Sequence, residues 1–281
     1  MSILVFALLF WLGAWGLNIW LANSRYGDTQ AVRIAVPTLF GLALLVLWEG
    51  VVRGLDVSPI ILPAPSLVAQ TFAQSTGILW EDFVQTFLKG ALRGFVIGVV
   101  AAVTCALLID RSTFLTRGLL PIGNFFAALP IVGVAPIMVN WFGFDWHSKA
   151  AVVVVMVFFP ILVNTVQGLR ASDAMQRDLM RTYAASYTQT LLKLRLPAAM
   201  PFIFNGLKIA TTLALIGAIV AEYFGSPTRG MGFRISTGVG SLSIDLVWAE
   251  IAVAALVGSV FYGLMAFFER RVTFWHPAQH R

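Results

Sequence analysis

The stretch from Arg181 to Pro201, RTYAASYTQTLLKLRLPAAMP, is basic and rich in helix formers, yet it lies between two long apolar runs. Upstream of it, Ser172 and Asp173 are residue types that begin helices, and good helix formers follow them. Downstream, YTQTLLKLRLP spreads its leucines over one side of a second amphipathic helix, and Pro197 ends that helix or starts the next one. The sequence therefore predicts a helix–turn–helix connection with a mixed basic and apolar surface.

Periodicity alone leaves two uses open for this connection. In the first, a soluble protein partner docks on the two helices. In the second, the helices lie on anionic lipid as an interfacial amphipathic pair. Both uses require basic and apolar side chains together, so the pattern of residues favours neither.

The rest of the chain has the composition of a membrane protein. Of its 281 residues, 59% are hydrophobic and only 11% are charged, whereas about 25% are charged in soluble domains. Several apolar runs reach the roughly 20 residues that a helix needs to cross the hydrocarbon core. Composition therefore predicts an all-α fold, a polytopic helical membrane protein.

Seven apolar segments are predicted, at residues 3–22, 33–52, 88–110, 118–141, 146–168, 201–224 and 245–268. The first follows Met-Ser directly, without a basic leader region or a clear cleavage site, so we interpret it as a retained helix rather than a signal peptide. The bundle has seven spans if this segment crosses the membrane and six if it does not.

Basic residues predict the orientation of the bundle. They cluster in the connection and at the end of the chain, which places both in the cytoplasm: Arg170, Arg177, Arg181, Lys193, Arg195, Arg270, Arg271 and Arg281. Six others fall at or near the outer face, against the rule: Arg53, Lys89, Arg93, Lys149, Arg229 and Arg234. Such long side chains snorkel to the interface or face a water-filled cavity.

The stretch from Val57 to Thr86 is not predicted as a span. It contains three prolines and then an amphipathic pattern, with Ser66 as the expected N-cap of a helix. One interpretation is a helix on the outer surface of the membrane, and the other is a simple connector.

Polar side chains within the apolar segments are candidates for lining a solute pathway, because exposing them to hydrocarbon is unfavourable. The candidates are Asn124, Asn140, Asn164, Asn205, Lys208, Thr211, Thr212 and Glu222. For each, the alternative is an interhelical hydrogen bond. Lys208 either snorkels to the cytoplasmic face or attracts an anion, and Glu222 either pairs with Arg229 or Arg234 or helps to receive an external partner.

Other functions find little support in the sequence. The three histidines, His147, His276 and His280, show no third ligand beside the last two, so no metal site is predicted. No catalytic set such as HExxH and no Gly-rich nucleotide-binding loop occurs, and no basic stripe with interleaved aromatics indicates nucleic acid. An ion-coupled secondary transporter is the alternative function, but the spans are nearly free of acids and show no convincing internal repeat.

The connection resembles the EAA loop of ATP-binding-cassette (ABC) importer permeases. That pattern runs Glu-Ala-Ala, then a glycine, then an aliphatic residue and Leu-Pro, and the spacing fits this chain. Asp178-Leu179-Met180 stands at Glu-Ala-Ala, Ala184 at the glycine, and Leu196-Pro197 at the end. A non-glycine residue with left-handed backbone costs about 1–2 kcal/mol. We therefore expect the turn to keep ordinary helical angles at Ala184, or to lie one residue away.

The flanking segments resemble the nitrate/sulfonate/taurine-type permeases of the same class. The matching runs are IILPAPSLV, Ala128–Gly143, Met156–Arg170, Pro201–Ile235 and Phe268–Pro277. The resemblance implies a permease transmembrane domain at 33–277, with its cytoplasmic coupling loop at about 170–200. It leaves residues 1–32 as an extra N-terminal transmembrane segment and linker, and 278–281 as a cytoplasmic tail.

The resemblance also implies how such a chain works. It is similar to type I ABC importer permeases of the bacterial inner membrane, which function as a pair, here as a homodimer with a second copy. The pair binds two ATP-binding subunits, which hold the ATP and Mg, and an extracytoplasmic solute-binding protein delivers the solute. The chain itself is then no enzyme and binds no cofactor; its other contacts are with membrane lipid, and none are with nucleic acid.

The same resemblance assigns roles within the loop. The expected ATPase-coupling surface comprises Asp178, Tyr183, Ala184, Ala185 and Ser186, with Leu196 and Pro197 as its anchor. For any one of these residues, the alternative is ordinary helix packing. The implied solute is small and organic: a sulfonate, taurine or nitrate-like anion, or a vitamin precursor such as a thiamine-type pyrimidine or riboflavin.

Overall fold

The computed structural model describes residues 2–112, 118, 129–225 and 228–275. Within these ranges the chain forms helices joined by turns and no strand, so the all-α class is confirmed. In chain order the helices are α1 (Ser2–Asn23), α2 (Gln30–Gly54), α3 (Pro65–Gln74), α4 (Thr76–Asp110), α5 (Ile131–Phe142), α6 (Trp146–Arg170), α7 (Ala174–Thr182), α8 (Tyr187–Gly225), α9 (Met231–Gly240) and α10 (Ile244–Val272).

Six helices in the described ranges are long and apolar enough to cross a membrane: α1, α2, α4, α6, α8 and α10. They match six of the predicted segments, including the one at 3–22. The seventh, 118–141, lies partly outside the described residues, and its described part holds most of α5, which at 12 residues is shorter than a span.

The prediction for Val57–Thr86 was wrong in two respects, the N-cap of its helix and the exclusion of its last residues from a span. Helix α3 begins at Pro65, with Ala64 rather than Ser66 as its N-cap, because the fixed φ of proline suits the first helical position. After Ser75 the chain enters α4, which runs without a break for 35 residues to Asp110. The span predicted to begin at 88 therefore belongs to a helix that begins at Thr76.

Helices α4 and α8 contain π-helical segments, at Val84–Ala91 and at Leu191–Arg195 respectively. The second segment directly precedes Pro197, which lacks an N–H and crowds the carbonyl of the preceding turn. Widened turns of this kind relieve such a conflict without ending the helix. Pro197 therefore neither ends a helix nor starts one, and the helix–turn–helix prediction holds with a second helix that continues into the membrane.

The described residues divide into two compact units, with boundaries inside α4, α9 and α10. The first contains those of Met1–Leu79 and Thr237–Ile251. There α1 packs on α2 through a close approach of Ala7 to Gly50, and the rings of Trp48 and Trp248 lie 4.8 Å apart between centroids.

The second unit contains the described residues of Trp80–Ser236 and Ala252–Arg281. Its core is formed by α4, α6 and α8, which contribute mainly Ala, Val and Ile, together with Phe261 of α10. Gly94 of α4 lies so close to α6 that a Cβ atom there would come within 2.6 Å of Val153 Cβ, and Gly98 is similarly crowded by Val157. This G-x-x-x-G spacing allows two membrane helices to approach backbone to backbone.

Candidate functional site

The connection between α6 and α8 is built by local hydrogen bonds. Asp173 caps α7, accepting from the Met175 N–H at 3.0 Å while the Gln176 side chain accepts from the Asp173 N–H. Ser186 caps α8 in the same reciprocal way with Gln189. Two such capping boxes within one connection fix where both helices begin, so the loop is structured on its own account.

The turn between the helices differs from both expectations for Ala184. Its φ is 51°, so this alanine adopts the left-handed backbone at the glycine position itself. Two hydrogen bonds close the turn, from Ala184 N–H to Arg181 O at 2.8 Å and from Ala185 N–H to Met180 O at 2.9 Å. This pair is the Schellman ending of a helix, and it stabilises the left-handed residue despite its Cβ atom.

An exposed apolar ridge runs along α7 into this turn. Met175, Leu179 and Tyr183 follow each other at intervals of four residues, and they are 78%, 54% and 75% exposed. Residues four apart lie on the same side of a helix. We call these three residues the apolar ridge. Only Tyr183 was among the predicted coupling residues, although the spacing of the other two was visible in the sequence.

The remaining predicted coupling residues surround the ridge or lie behind it. Asp178 is exposed and pairs with Arg181 at 3.1 Å, and Ser186 is exposed beside its cap partner, while Ala185 is half-buried. Leu196 packs against a buried cluster that includes Leu169, Ala199 and Ile203. Pro197 is half-buried next to it.

Helix α8 presents an exposed stripe over most of its length, at spacings of mainly three or four residues. Its exposed members are Phe202, Asn205, Ile209, Thr212, Ile216 and Tyr223. Two predicted pathway residues, Asn205 and Thr212, lie on this stripe. None of the stripe residues is charged.

The other predicted pathway residues divide between exposed and internal positions. Asn140 is exposed on α5. Asn164 donates to Pro160 O at 2.8 Å and accepts from Asn205 at 3.1 Å, which is an interhelical hydrogen bond between α6 and α8. Thr211 is fully buried and donates to Lys208 O, so its hydroxyl is occupied within its own helix. Asn124 lies outside the described residues, as do His276 and His280.

Lys208 does not offer a free positive charge. Its Nζ atom lies 2.6 Å from Glu269 Oε2 of α10, and both side chains are largely buried. Lys208 therefore has neither of the two predicted roles, snorkelling or attracting an anion. It forms an ion pair with Glu269 that carries no net charge.

Glu222 is buried at the end of α8 that lies far from the connection. Its Oε2 atom accepts from the Thr86 hydroxyl at 2.6 Å and from Gly232 N–H at 3.2 Å, while its Oε1 atom has no hydrogen-bond partner among the described residues. The predicted basic partners bind elsewhere, Arg229 at Glu81 and Arg234 at Asp82.

These contacts belong to a set of hydrogen bonds that hold the N-terminus of α9 in place. Its first N–H groups are bound by three side chains from other helices: Gly230 by Asp82 at 2.6 Å, Met231 by Thr86 at 2.8 Å, and Gly232 by Glu222. Carboxylates are favoured there because free N–H groups and the helix dipole meet at a helix N-terminus. The sequence analysis missed Asp82 and Thr86.

We call the cluster of Asp82, Thr86, Glu222 and Gly230 the α9 anchor. Two further contacts complete it, one at Gly230 and one at Lys149. Gly230 has a φ of 118° and lies against the Glu222 carboxyl, which a Cβ atom would meet at 2.5 Å. Lys149, 1% exposed, donates to the Gly225 carbonyl at 2.9 Å and to the Phe144 carbonyl, and its charge interacts with Glu222. Lys149 of α6 thus binds the end of α8 beside the α9 anchor.

The sequence of this chain matches a known family of transport proteins and several named relatives. The family profile of the binding-protein-dependent transport system inner membrane component matches residues 94–274. A "Probable ABC transporter permease protein" of Haemophilus influenzae is 32% identical over 234 residues, which cover 82% of this chain and 94% of the relative.

Two further relatives are named for a solute. The formylaminopyrimidine transport permease protein ThiX of Halalkalibacterium halodurans is 31% identical, with 86% of this chain and 96% of the relative covered. The riboflavin transport system permease protein RibX of Chloroflexus aurantiacus is 32% identical, with 84% and 88% covered. More distant relatives are named for aliphatic sulfonate, taurine and nitrate transport.

The resemblance noted in the sequence is thereby confirmed over most of the chain. The family match spans α5 to α10 completely, together with the second half of α4. Six candidate spans agree with an inner-membrane location. The chain is a multi-pass inner-membrane protein that belongs to the binding-protein-dependent transport system inner membrane component family, the ABC importer permeases.

Proposed function

We propose that this chain is the translocating subunit of an ATP-driven importer, and that the apolar ridge docks a separate ATP-binding subunit. The supporting observation is the ridge itself. It presents three large apolar side chains, each more than half exposed, along a helix that begins at a capping box and ends in a Schellman turn. Large apolar and aromatic side chains on a rigid element are the usual anchors of a protein interface.

The partners follow from this assignment. Two ATP-binding subunits, which carry the ATP and Mg, dock on two permease chains, the second being another copy of this one. A solute-binding protein delivers the solute on the opposite side. Closure of the ATP-binding subunits moves the docked loops, and that movement selects between two packings of the membrane helices.

The exposed stripe of α8 is the proposed lining of the solute pathway. Thr212 lies near the middle of the helix with an exposed hydroxyl, and Asn205 is exposed two turns earlier. Amide and hydroxyl groups at that depth are unfavourable against lipid tails but suit a hydrated pathway. The same face in a pair of chains would enclose such a path.

The chemistry of the stripe favours an uncharged heteroaromatic solute over an anion. Its members are aromatic, aliphatic, amide or hydroxyl side chains, and the neighbouring Lys208 is neutralised by Glu269. Relatives named for formylaminopyrimidine and riboflavin agree with this choice. Uptake of riboflavin and of an aliphatic sulfonate that lacks an amino group, compared in cells that carry the complete system, separates the two solute classes.

Docking is tested by a pair of matched leucines. Leu179 lies on the ridge and is 54% exposed, whereas Leu192 lies off the ridge at the start of α8 and is 57% exposed. The tagged chain is co-expressed with its neighbouring genes, extracted in mild detergent, and examined for a bound ATP-binding subunit. We expect Leu179→Glu to abolish co-purification and Leu192→Glu to preserve it.

Retention of the ATP-binding subunit by Leu179→Glu would contradict docking on the ridge. Failure of the unaltered chain to bind any ATP-binding subunit would overturn the importer assignment. The loop would then be an interfacial pair on lipid, and an ion-coupled transporter would be the remaining function.

A further inference from the structure

A second polar cluster lies where the coupling loop joins the membrane helices. Asp110, the last residue of α4, accepts two hydrogen bonds from the Arg195 guanidinium, at 2.6 and 2.7 Å, and one from the Tyr187 hydroxyl at 2.8 Å. Arg195 also donates through Nε to the Leu169 carbonyl at 3.0 Å. We call Asp110, Arg195, Tyr187 and Leu169 the loop clamp.

The ion pair of Asp110 and Arg195 within the clamp is largely buried and has complementary geometry. The side chains of Asp110 and Arg195 are only 4% and 16% exposed. The guanidinium faces the carboxylate with two parallel N–H donors, an arrangement with more directional strength than a single charged contact. An exposed surface pair of the same charges would contribute little, so burial distinguishes this pair from Asp178–Arg181 on the loop.

The position of Asp110 is unfavourable for its own helix. A carboxylate at a helix C-terminus faces the negative end of the helix dipole. Helix propensity therefore does not explain an acid there, whereas pairing with Arg195 does. The guanidinium, in turn, contacts the last residue of α4 and the last turn of α6, and a positive charge is favoured at both helix ends.

The clamp joins both ends of the loop to a helix outside it. Leu169 is next to the last residue of α6, which enters the loop, and Tyr187 is the first residue of α8, directly after the cap Ser186. Arg195 and Asp110 connect these two points to α4. These hydrogen bonds fix the position of the coupling loop relative to the end of α4.

We propose that Asp110 is a positioning residue that makes α4 follow the coupling loop when the ATP-binding subunit moves it. This inference rests on the proposed docking function. Asp110 does not touch the ATP-binding subunit in this proposal. It acts through Arg195 and Tyr187, so its removal leaves the apolar ridge in place and disconnects α4 from it.

The experiment measures the distance between loop and helix in the assembled complex. Spin labels are placed at Leu108 of α4 and Lys193 of α8, both exposed, in a Cys105→Ser background that removes the single native cysteine. Labelled chains are diluted with unlabelled chains, so that the distance within one chain is read alone. It is measured without nucleotide and after trapping with ATP and vanadate.

With Asp110 present, we expect one narrow distance that is the same in both states. Asp110→Asn keeps the shape of the side chain but removes its charge. In this variant we expect a broader distribution of distances, which shifts on trapping with ATP and vanadate. The ATP-binding subunit should still co-purify. Asp110→Glu, which retains a carboxylate, should restore the narrow distance in part. Asp28→Asn, at an exposed acid 3.9 Å from Arg33, is the control for charge removal.

Two results would overturn the clamp. The first is a distance that changes with nucleotide while Asp110 is intact, and the second is an Asp110→Asn distribution identical to that of the unaltered chain. Failure of the docking proposal shows separately, as absence of the ATP-binding subunit from the unaltered complex. The nucleotide-free comparison of the unaltered chain with Asp110→Asn still decides whether the clamp holds the loop.

Discussion

Ala184 is the residue whose conformation is least expected for its side chain. Its left-handed backbone, at φ 51°, is held by the two hydrogen bonds of the turn. An L-residue with a Cβ atom is strained there by about 1–2 kcal/mol, and glycine is not. We expect Ala184→Gly to stabilise the folded loop by about 1 kcal/mol, the strain relieved being partly offset by the greater freedom of glycine in the unfolded chain. Hydrogen exchange of the amides from 183 to 186 measures this change.

The neighbouring alanine provides the control for that prediction. Ala185 has no positive φ, so Ala185→Gly gains no relief of strain and only increases the freedom of the unfolded chain. It should therefore speed exchange in the turn, whereas Ala184→Gly should slow it. Equal effects of the two substitutions would show that the left-handed residue carries no strain.

At the scale of elements, Thr86 connects three helices through one hydroxyl. The group accepts from Met231 N–H of α9 and donates to Glu222 of α8, and it is completely buried. Thr86→Val keeps the shape of the side chain and removes a hydrogen bond from both partners, for which we expect a loss of about 1–3 kcal/mol. Thermal unfolding in detergent measures the loss, and exchange at the Met231 amide locates it.

Thr104→Val on the same helix is the matched control for Thr86. Its side chain is exposed, so the substitution should leave the unfolding temperature nearly unchanged. A similar effect of both variants would mean that the α9 anchor does not stabilise the structure beyond ordinary packing.

These elements also show what the sequence could predict. Short-range rules offered Ser172 and Asp173 as caps of α7, and Asp173 is the cap, with its partner Gln176 three residues away. The same rules could not find the α9 anchor, since Thr86 and Glu222 are separated by 136 residues. The start of α4 was missed because its first turns are amphipathic and follow a proline-rich stretch. Ala184 was misjudged because intrinsic cost was considered without the hydrogen bonds that offset it.

At the scale of the whole molecule, the pair of Lys208 and Glu269 bears on what is transported. With the pair intact, the stripe of α8 carries no net charge beside it. Glu269→Gln leaves the positive charge of Lys208 without its partner, and a positive charge beside a pathway concentrates anions. We expect uptake of an aliphatic sulfonate to rise relative to riboflavin uptake in this variant.

The double variant Lys208→Gln/Glu269→Gln is the control for solute selection. It removes both charges and keeps the site neutral, so the ratio of sulfonate to riboflavin uptake should return to that of the unaltered chain. A ratio that is the same in all three proteins would place the pair away from the pathway.

The π-helical segment Leu191–Arg195 lies between the coupling loop and the part of α8 that crosses the membrane. A π turn holds one more residue than an α turn, and each residue of an α-helix advances about 100° around the axis. If the same residues were wound as a regular α-helix, Tyr187 would be rotated by about 100° around the axis, away from Asp110. The widened turn therefore sets the direction in which the loop faces. Without this widened turn, a protein that retained every docking side chain would still direct those side chains away from the ATP-binding subunit.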